Sequence, residues 1–391
     1  MGGLRRGEAT YRRAVLAMVA AGLASFNTLY ATQALLPIFT DTIGISPSQA
    51  ALTVSAATGA VAICIVPASI LSERFGRGTI LIPSVLCAAS LGILLPWLPS
   101  FEAFLIGRAL QGILLAGVPA VAMAWLSEEL SPSDLGHAMG LYVAGTSIGG
   151  LLGRLIPATL VELVSWQYAL CINSGIALMF ALTFIYLLPP QQRFQPKPLG
   201  LRSEIEAMVG HWSNPRLAAL FITGFLNMGA FVSLFNYIGY RMVSHFNMSE
   251  ALTGALFLLF LSGTWSSARA GTLVQRHGAG KALLGLTAMS AIGLFGCLTG
   301  NLGVTVIGLL LFTAGFFAIH STASGMIGNI ATIHRAEASS MYLFCYYCGS
   351  SAIGWSSGYL FTSFGWHGLI IGLLFLMLML GSTAYYFARR N

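Results

Sequence analysis

Three arginines and a histidine stand within long apolar runs of this chain and could do chemistry there: Arg108, Arg154, Arg269 and His320. An unpaired charge in hydrocarbon is costly, so each must find hydrogen-bond partners, a counter-charge or a bound anion. Counted along a helix from the ends of their runs, Arg108 lies roughly 10 Å deep and Arg154 roughly 15 Å. The nearest acids, Asp41, Glu102 and Glu162, stand toward one end of the runs, and no Asp or Glu falls near a middle. Each arginine therefore has two readings: a structural cation held by those acids or by helix carbonyls, or a contact for substrate or coupling ion. Arg269 lies near the end of its run, where its stem can carry the charge to water. A histidine titrates near neutral pH. His320 is thus the candidate proton carrier, with Arg108 beside it in that role, against the alternative of a hydrogen-bonded packing residue. Asn27, Tyr30 and Gln33 recur every three residues in the first run, and Asn227, Asn236, Tyr237 and Tyr240 share the seventh. Asn27, Tyr30, Gln33, Arg108, Arg154, Asn227, Asn236, Tyr237 and His320 form the expected substrate-binding set.

A second cluster is polar and turn-sized. Glu73, Arg74 and Arg77, with Gly76 and Gly78, interrupt two apolar runs. Such charges belong at a water boundary, and the glycines suit a tight reversal between helices. A fainter copy follows at Arg276, Gly278 and Lys281.

The elements that position these residues follow from composition. Of 391 residues, 56% are hydrophobic and 8% charged, against about 25% charged in ordinary soluble domains. Soluble and disordered classes are excluded. The formal net charge of +7 lies mostly in loops and the N-terminal segment, which fits membrane topology and not nucleic-acid binding. About twenty apolar residues cross a bilayer. That ruler predicts an all-α membrane protein of twelve spans, near 14–38, 48–71, 79–98, 101–126, 136–161, 166–188, 215–241, 250–273, 280–300, 302–329, 337–361 and 366–388. The first run is too long for a signal-peptide core. With both termini in the cytoplasm, fifteen of the nineteen Lys and Arg residues fall on the cytoplasmic side, as the positive-inside rule requires. The expected place is a bacterial inner membrane.

The chain also repeats itself. Asn27 and Asn227, Ala51-Leu52-Thr53 and Ala251-Leu252-Thr253, Ala116-Gly117 and Ala314-Gly315, and Trp166 and Trp366 recur in order at offsets near two hundred. Two six-helix bundles are expected, 1–188 and 215–391, joined by a proline-bearing cytoplasmic linker at 189–214 with an amphipathic run around Leu201–Val209. Gly145, Gly149 and Gly153, and again Ser350, Gly354 and Gly358, put small residues four apart, which lets helix backbones approach closely.

These residues resemble the major facilitator superfamily over essentially the whole chain. Arg74, Gly76 and Arg77 match that family's elbow signature, while Ser69, Glu73 and Gly78 depart from it. Arg108-Ala-Leu-Gln111-Gly112 is similar to its second motif. Met139–Arg154 and Tyr342–Ser351 look like a bacterial branch, the YnfM-type or arabinose-efflux-like permeases. The resemblance implies two pseudo-symmetric six-helix bundles, a cavity lined by the first, fourth, seventh and tenth helices, alternating access and proton-driven export. It further implies a cytoplasmic gate in which Glu73 and Arg77, with Arg74 and Gly76 in the elbow, pair with Glu128 or Glu129.

Other classes find less support. Gly145-Thr-Ser147-Ile-Gly149 spells a hydrolase elbow, but the strand–turn–helix and the Asp/His pair it needs have no counterpart. Neither a metal-ligand set nor a phosphate loop is legible, so neither enzyme chemistry, a metal, a cofactor nor direct ATP drive is expected. Cys345 and Cys348 sit in an apolar run and read as packing thiols. The leading expectation is a monomeric antiporter exporting an anionic, zwitterionic or neutral small molecule in exchange for protons. An importer or uniporter of a sugar or organic acid is the alternative, and a membrane receptor or sensor a further one.

Overall fold

A computed structural model describes residues 3–196 and 200–389. Lys197 and Arg390, two of the cations assigned to the cytoplasmic side, lie outside the described residues. Among those described, regular structure is helical apart from one bridge between Leu4 and Leu130. Eleven helices are long and apolar enough to cross a membrane: α1 (Ala9–Ile43), α2 (Pro47–Phe75), α3 (Arg77–Trp97), α4 (Phe101–Glu129), α5 (Pro132–Leu160), α6 (Trp166–Leu187), α7 (Pro215–Phe246), α8 (Glu250–His277), α9 (Ala279–Cys297), α10 (Leu302–Ile330) and a last helix, Arg335–Ala388. That last helix holds 54 residues. At helical rise it would run roughly 80 Å, more than twice a hydrocarbon core. Gly365 divides it, with φ 65° and ψ −161°, a conformation essentially reserved for glycine. The two parts, α11 (335–364) and α12 (366–388), complete twelve spans. The twelve-helix class read from the sequence is the fold observed. Between α6 and α7 lies a short linker helix, Leu201–Gly210.

The chain divides into two compact units. One holds the residues up to Leu35 and from Ala56 to the linker; the other holds Leu36–Ser55 and everything from Arg202 onward. In the first unit, α5 lies close along α1. A methyl on Gly145 would sit 2.9 Å from the Val19 carbonyl oxygen, and one on Gly149 2.6 Å from that of Leu23. At Gly153 it would meet the Asn27 carbonyl more closely still. The glycine row is therefore a contact surface without side chains, and β-carbons there would force α1 and α5 apart. Trp125, Phe184, Tyr142 and Leu81 fill the core near the elbow end.

In the second unit α7 is the most enclosed span. Gly349 of α11 meets the Phe225 backbone, Gly354 meets the Val232 side chain, and Gly358 approaches Ser48 and Tyr237. Phe231 stacks on Phe316 with ring centroids 3.8 Å apart, inside a cluster that includes Phe235, Phe260 and Phe317. Aromatic rings with no polar atom to satisfy suit this position between α7, α8 and α10. All six cysteines are unpaired.

Candidate functional site: a broken first helix and an elbow latch

The first span breaks where its polar residues stand. α1 is regular to Tyr30, turns through Ala31 and Thr32, tightens at Gln33–Leu35 and resumes at Leu36. Pro37 supplies the cause, since it cannot donate to the Gln33 carbonyl and its ring crowds that group. A helix that ends leaves its last carbonyls without partners.

Arg108 of α4 fills that need. Its Nη1 donates to the Thr28 carbonyl at 3.1 Å and its Nη2 to the Leu29 carbonyl at 2.6 Å. Nη1 also donates to Gln111 Oε1, and Gln111 Nε2 donates to the Ala88 carbonyl at 2.8 Å. Arg108 is almost wholly buried. Its guanidinium thus meets carbonyls that the end of the regular part of α1 leaves open.

Arg154 of α5 reaches the same break from another side. Its Nε donates to Gln33 Oε1 at 2.7 Å and its Nη1 to the Gly150 carbonyl at 2.6 Å. The guanidinium carbon stands 4.0 Å from the centre of the Tyr30 ring, a cation–π distance. Gly150 leaves the space the guanidinium occupies, since a methyl there would lie 3.1 Å from Nη1. Tyr30, Gln33, Arg108 and Arg154 are thus gathered at one turn of α1. Asn27 is not part of that gathering. It is fully enclosed, in a reciprocal amide pair with Asn173 of α6 at 3.0 and 2.9 Å.

In the second unit the expected residues fall into separate places. Asn227 Nδ2 donates to the Phe316 carbonyl at 3.1 Å. Asn236 Nδ2 and the Tyr237 hydroxyl both donate to the Gly354 carbonyl, at 3.3 and 3.2 Å. All three are buried, and their hydrogen bonds tie α7 to α10 and α11. His320 is half-buried. Its Nδ1 lies 2.8 Å from the Tyr342 hydroxyl, and its ring stacks near Phe316, Tyr342 and Tyr346. Arg269 is exposed and lies over the Trp265 ring at 4.8 Å.

The elbow forms a compact ionic network. Gly76 at φ 102° separates α2 from α3, a backbone state that glycine adopts without strain. It delivers Arg77 into a buried position. Arg77 Nε and Nη2 donate to Glu128 Oε1 at 3.1 and 2.7 Å, Nη2 reaches Glu73 Oε1 at 3.3 Å, and Nη1 donates to Ser72 Oγ at 2.7 Å. Of the two acids at the end of α4, Glu128 takes the arginine. Glu129 instead accepts the backbone N–H groups of Gln192 and Arg193 at 3.0 and 2.8 Å. Gln191 bridges both parts, accepting from Arg77 N at 3.1 Å and donating to Glu128 Oε2 at 2.9 Å. Arg74 is exposed. A cavity of about 570 Å³ beside the network is lined by Gly3, Leu4, Glu128, Glu129, Gln192, Arg193 and Gln195.

The family model of the Major Facilitator Superfamily matches residues 17–269. This chain belongs to that superfamily. Among its relatives, the inner membrane transport protein YnfM of Escherichia coli is 40% identical over 383 residues, covering 97% of this chain and 92% of the relative. An uncharacterised transporter of the same superfamily from Bacillus subtilis, YybF, is 36% identical over 387 residues, covering 99% and 96%. A bacterial homologue of the human lysosomal transporter Spinster, solved inward-facing and unoccupied, matches with a TM-score of 0.79 at 14% identity and 98% coverage of both chains. That last likeness bears on the fold alone.

As a major facilitator, the chain is a multi-pass membrane transporter of a small molecule. Its site geometry contains partners that the sequence reading passed over. Asn173 is a single amide in an apolar run, the same signal that picked out Asn27 and Gln33, and it proves to be half of a pair; Gln111, quoted only as part of the second motif, proves to accept from Arg108. Tyr342 stands in a segment that marks the YnfM-type branch. Gln191 has no such signal, because its role depends on how the linker folds back beneath α4.

Proposed function

We propose that this transporter works by alternating access and exports a small organic molecule in exchange for protons across a bacterial inner membrane, as a monomer with both termini in the cytoplasm. The observation that carries this reading is the pair of guanidinium groups at the broken turn of α1. An arginine keeps its charge at any physiological pH, and two of them meet at this one turn. A substrate with a carboxylate or another negative group is favoured there, a zwitterion or neutral polar molecule is tolerated, and a cation is disfavoured. Arg154 is the substrate contact in this reading, with Tyr30 and Gln33 fixing its orientation. Arg108 is the residue that holds the break open.

Proton coupling is assigned to His320, whose ring meets the Tyr342 hydroxyl from a half-buried place. The ionic network of Glu73, Arg77 and Glu128 serves as the cytoplasmic latch, with Arg74 and Gly76 shaping the elbow and Glu129 fastening the linker. The positive ends of the chain and the elbows support the cytoplasmic placement.

Flux in proteoliposomes tests the reading. A panel of organic acids, zwitterions and sugars is first screened for thermal stabilisation of the purified protein, and the hits are loaded into vesicles. Under an imposed pH gradient and without ATP, substrate should move against the proton flow. Movement that ignores the gradient would identify a uniporter, and stabilisation without any flux would point to a receptor.

A further inference from the structure

The linker helix (Leu201–Gly210) and the short turn after it, His211–Ser213, present three faces. Met208 and His211 are turned into the protein, and His211 Nε2 lies 3.0 Å from the His334 carbonyl oxygen. Ser203, Glu206 and Gly210 are exposed on a polar face. Between these lies an apolar stripe. Ile205, Val209 and Trp212 are 46%, 57% and 41% exposed and fall at intervals of four and three, one above another on the helix.

That stripe lies outside any span, on a helix of ten residues, too short to cross a bilayer. It nonetheless adjoins one. α7 begins at Pro215, and the Trp212 ring packs 5.3 Å from that of Phe221, which is buried within α7. The same stripe carries a guanidinium at each end: Arg202 three residues before Ile205, and Arg216 four residues after Trp212. Arg202 is paired with Glu206 at 2.8 Å. Arg216 is exposed, and its side chain meets no partner among the described residues. Apolar side chains on successive turns, a tryptophan at the edge of a span and an open arginine beside it match the surface of a bilayer, where indole rings settle at the headgroup level and basic groups meet lipid phosphate.

We propose that this segment is an in-plane membrane anchor. Ile205, Val209 and Trp212 enter the boundary between headgroups and acyl chains, and Arg216 engages the phosphate of an anionic lipid. The contact fixes the depth at which α7 starts and ties the linker to the bilayer. It holds for whichever leaflet the orientation proposed above assigns.

The test uses the full-length protein in nanodiscs, with the six native cysteines replaced. An environment-sensitive fluorophore is attached through Val209→Cys on the apolar stripe or Gly210→Cys on the polar face. Brominated phosphatidylcholine or brominated phosphatidylglycerol serves as quencher. The anchor predicts strong quenching at 209 and little at 210. It also predicts stronger quenching at 209 by the glycerol lipid than by the choline lipid at equal mole fraction. Arg216→Gln should lower that preference about fivefold, while Arg216→Lys should keep it. Equal quenching at both positions, none at either, or a lipid preference indifferent to Arg216→Gln would overturn the proposal. None of these readouts involves transport, so a failure of the antiport reading leaves them untouched.

Discussion

Replacing Arg77 by alanine should stop transport while leaving the protein folded in the membrane. The buried guanidinium makes four side-chain hydrogen bonds between 2.7 and 3.3 Å: two to Glu128, one to Glu73 and one to Ser72. Hydrogen bonds to charged groups contribute about 1.5–3 kcal/mol each before compensation. The two carboxylates are 26% and 29% exposed, so water recovers part of the loss when the arginine goes. The expected net loss is about 2–3 kcal/mol, below the ~3–5 kcal/mol of a fully buried broken pair. If the network belongs to one state of the transport cycle, that state loses roughly 30- to 150-fold in population relative to the other. The assay is substrate flux in proteoliposomes, paired with circular dichroism and size exclusion to show a folded chain. Arg77→Lys keeps the charge but loses the fork, and should fall between wild type and alanine. Wild-type flux in Arg77→Ala would show that the network holds no state of the cycle.

Two further outcomes follow from the geometry. Asn27→Ala should lower thermal stability, because it strands the buried Asn173 amide at a cost of about 1–3 kcal/mol. Asn27→Leu combined with Asn173→Leu should cost less than Asn27→Ala alone, and unfolding in detergent measures both; a double variant weaker than the single would contradict the pairing account. His320→Ala should abolish the response of flux to an imposed pH gradient while substrate still exchanges across the membrane, and gradient-driven flux that survives the change would remove His320 from the coupling.

Much of the architecture was legible because a bilayer simplifies the problem. Length and apolarity alone locate spans, and the elbows at Gly76 and Gly278 mark their reversals. The glycine row of α5 announced a close helix contact, although not that α1 was its partner. The site was legible in part. Arg154, Tyr30 and Gln33 were singled out one by one, yet only the break at Pro37 brings them together, and a proline in a membrane helix bends or opens it in ways its neighbours decide. Asn27 shows the limit of spacing as a guide. Its interval of three from Tyr30 suggested a shared face, but the turn of the helix carries it to α6, where Asn173 offers an amide of matching shape. Glu128 and Glu129 are adjacent and chemically alike, so only the fold decides which one meets Arg77 and which one receives the linker.

The most direct test of the account concerns the charge at the broken turn of α1. An organic anion that stabilises the purified protein should be titrated by calorimetry into wild type and into Arg154→Gln, with a neutral ligand of similar size as control. Loss of one charge-assisted contact should weaken the anion by roughly ten- to a hundredfold and leave the neutral ligand nearly unchanged. Equal affinities of the anion for both proteins, with the variant folded, would contradict the claim that Arg154 receives the substrate.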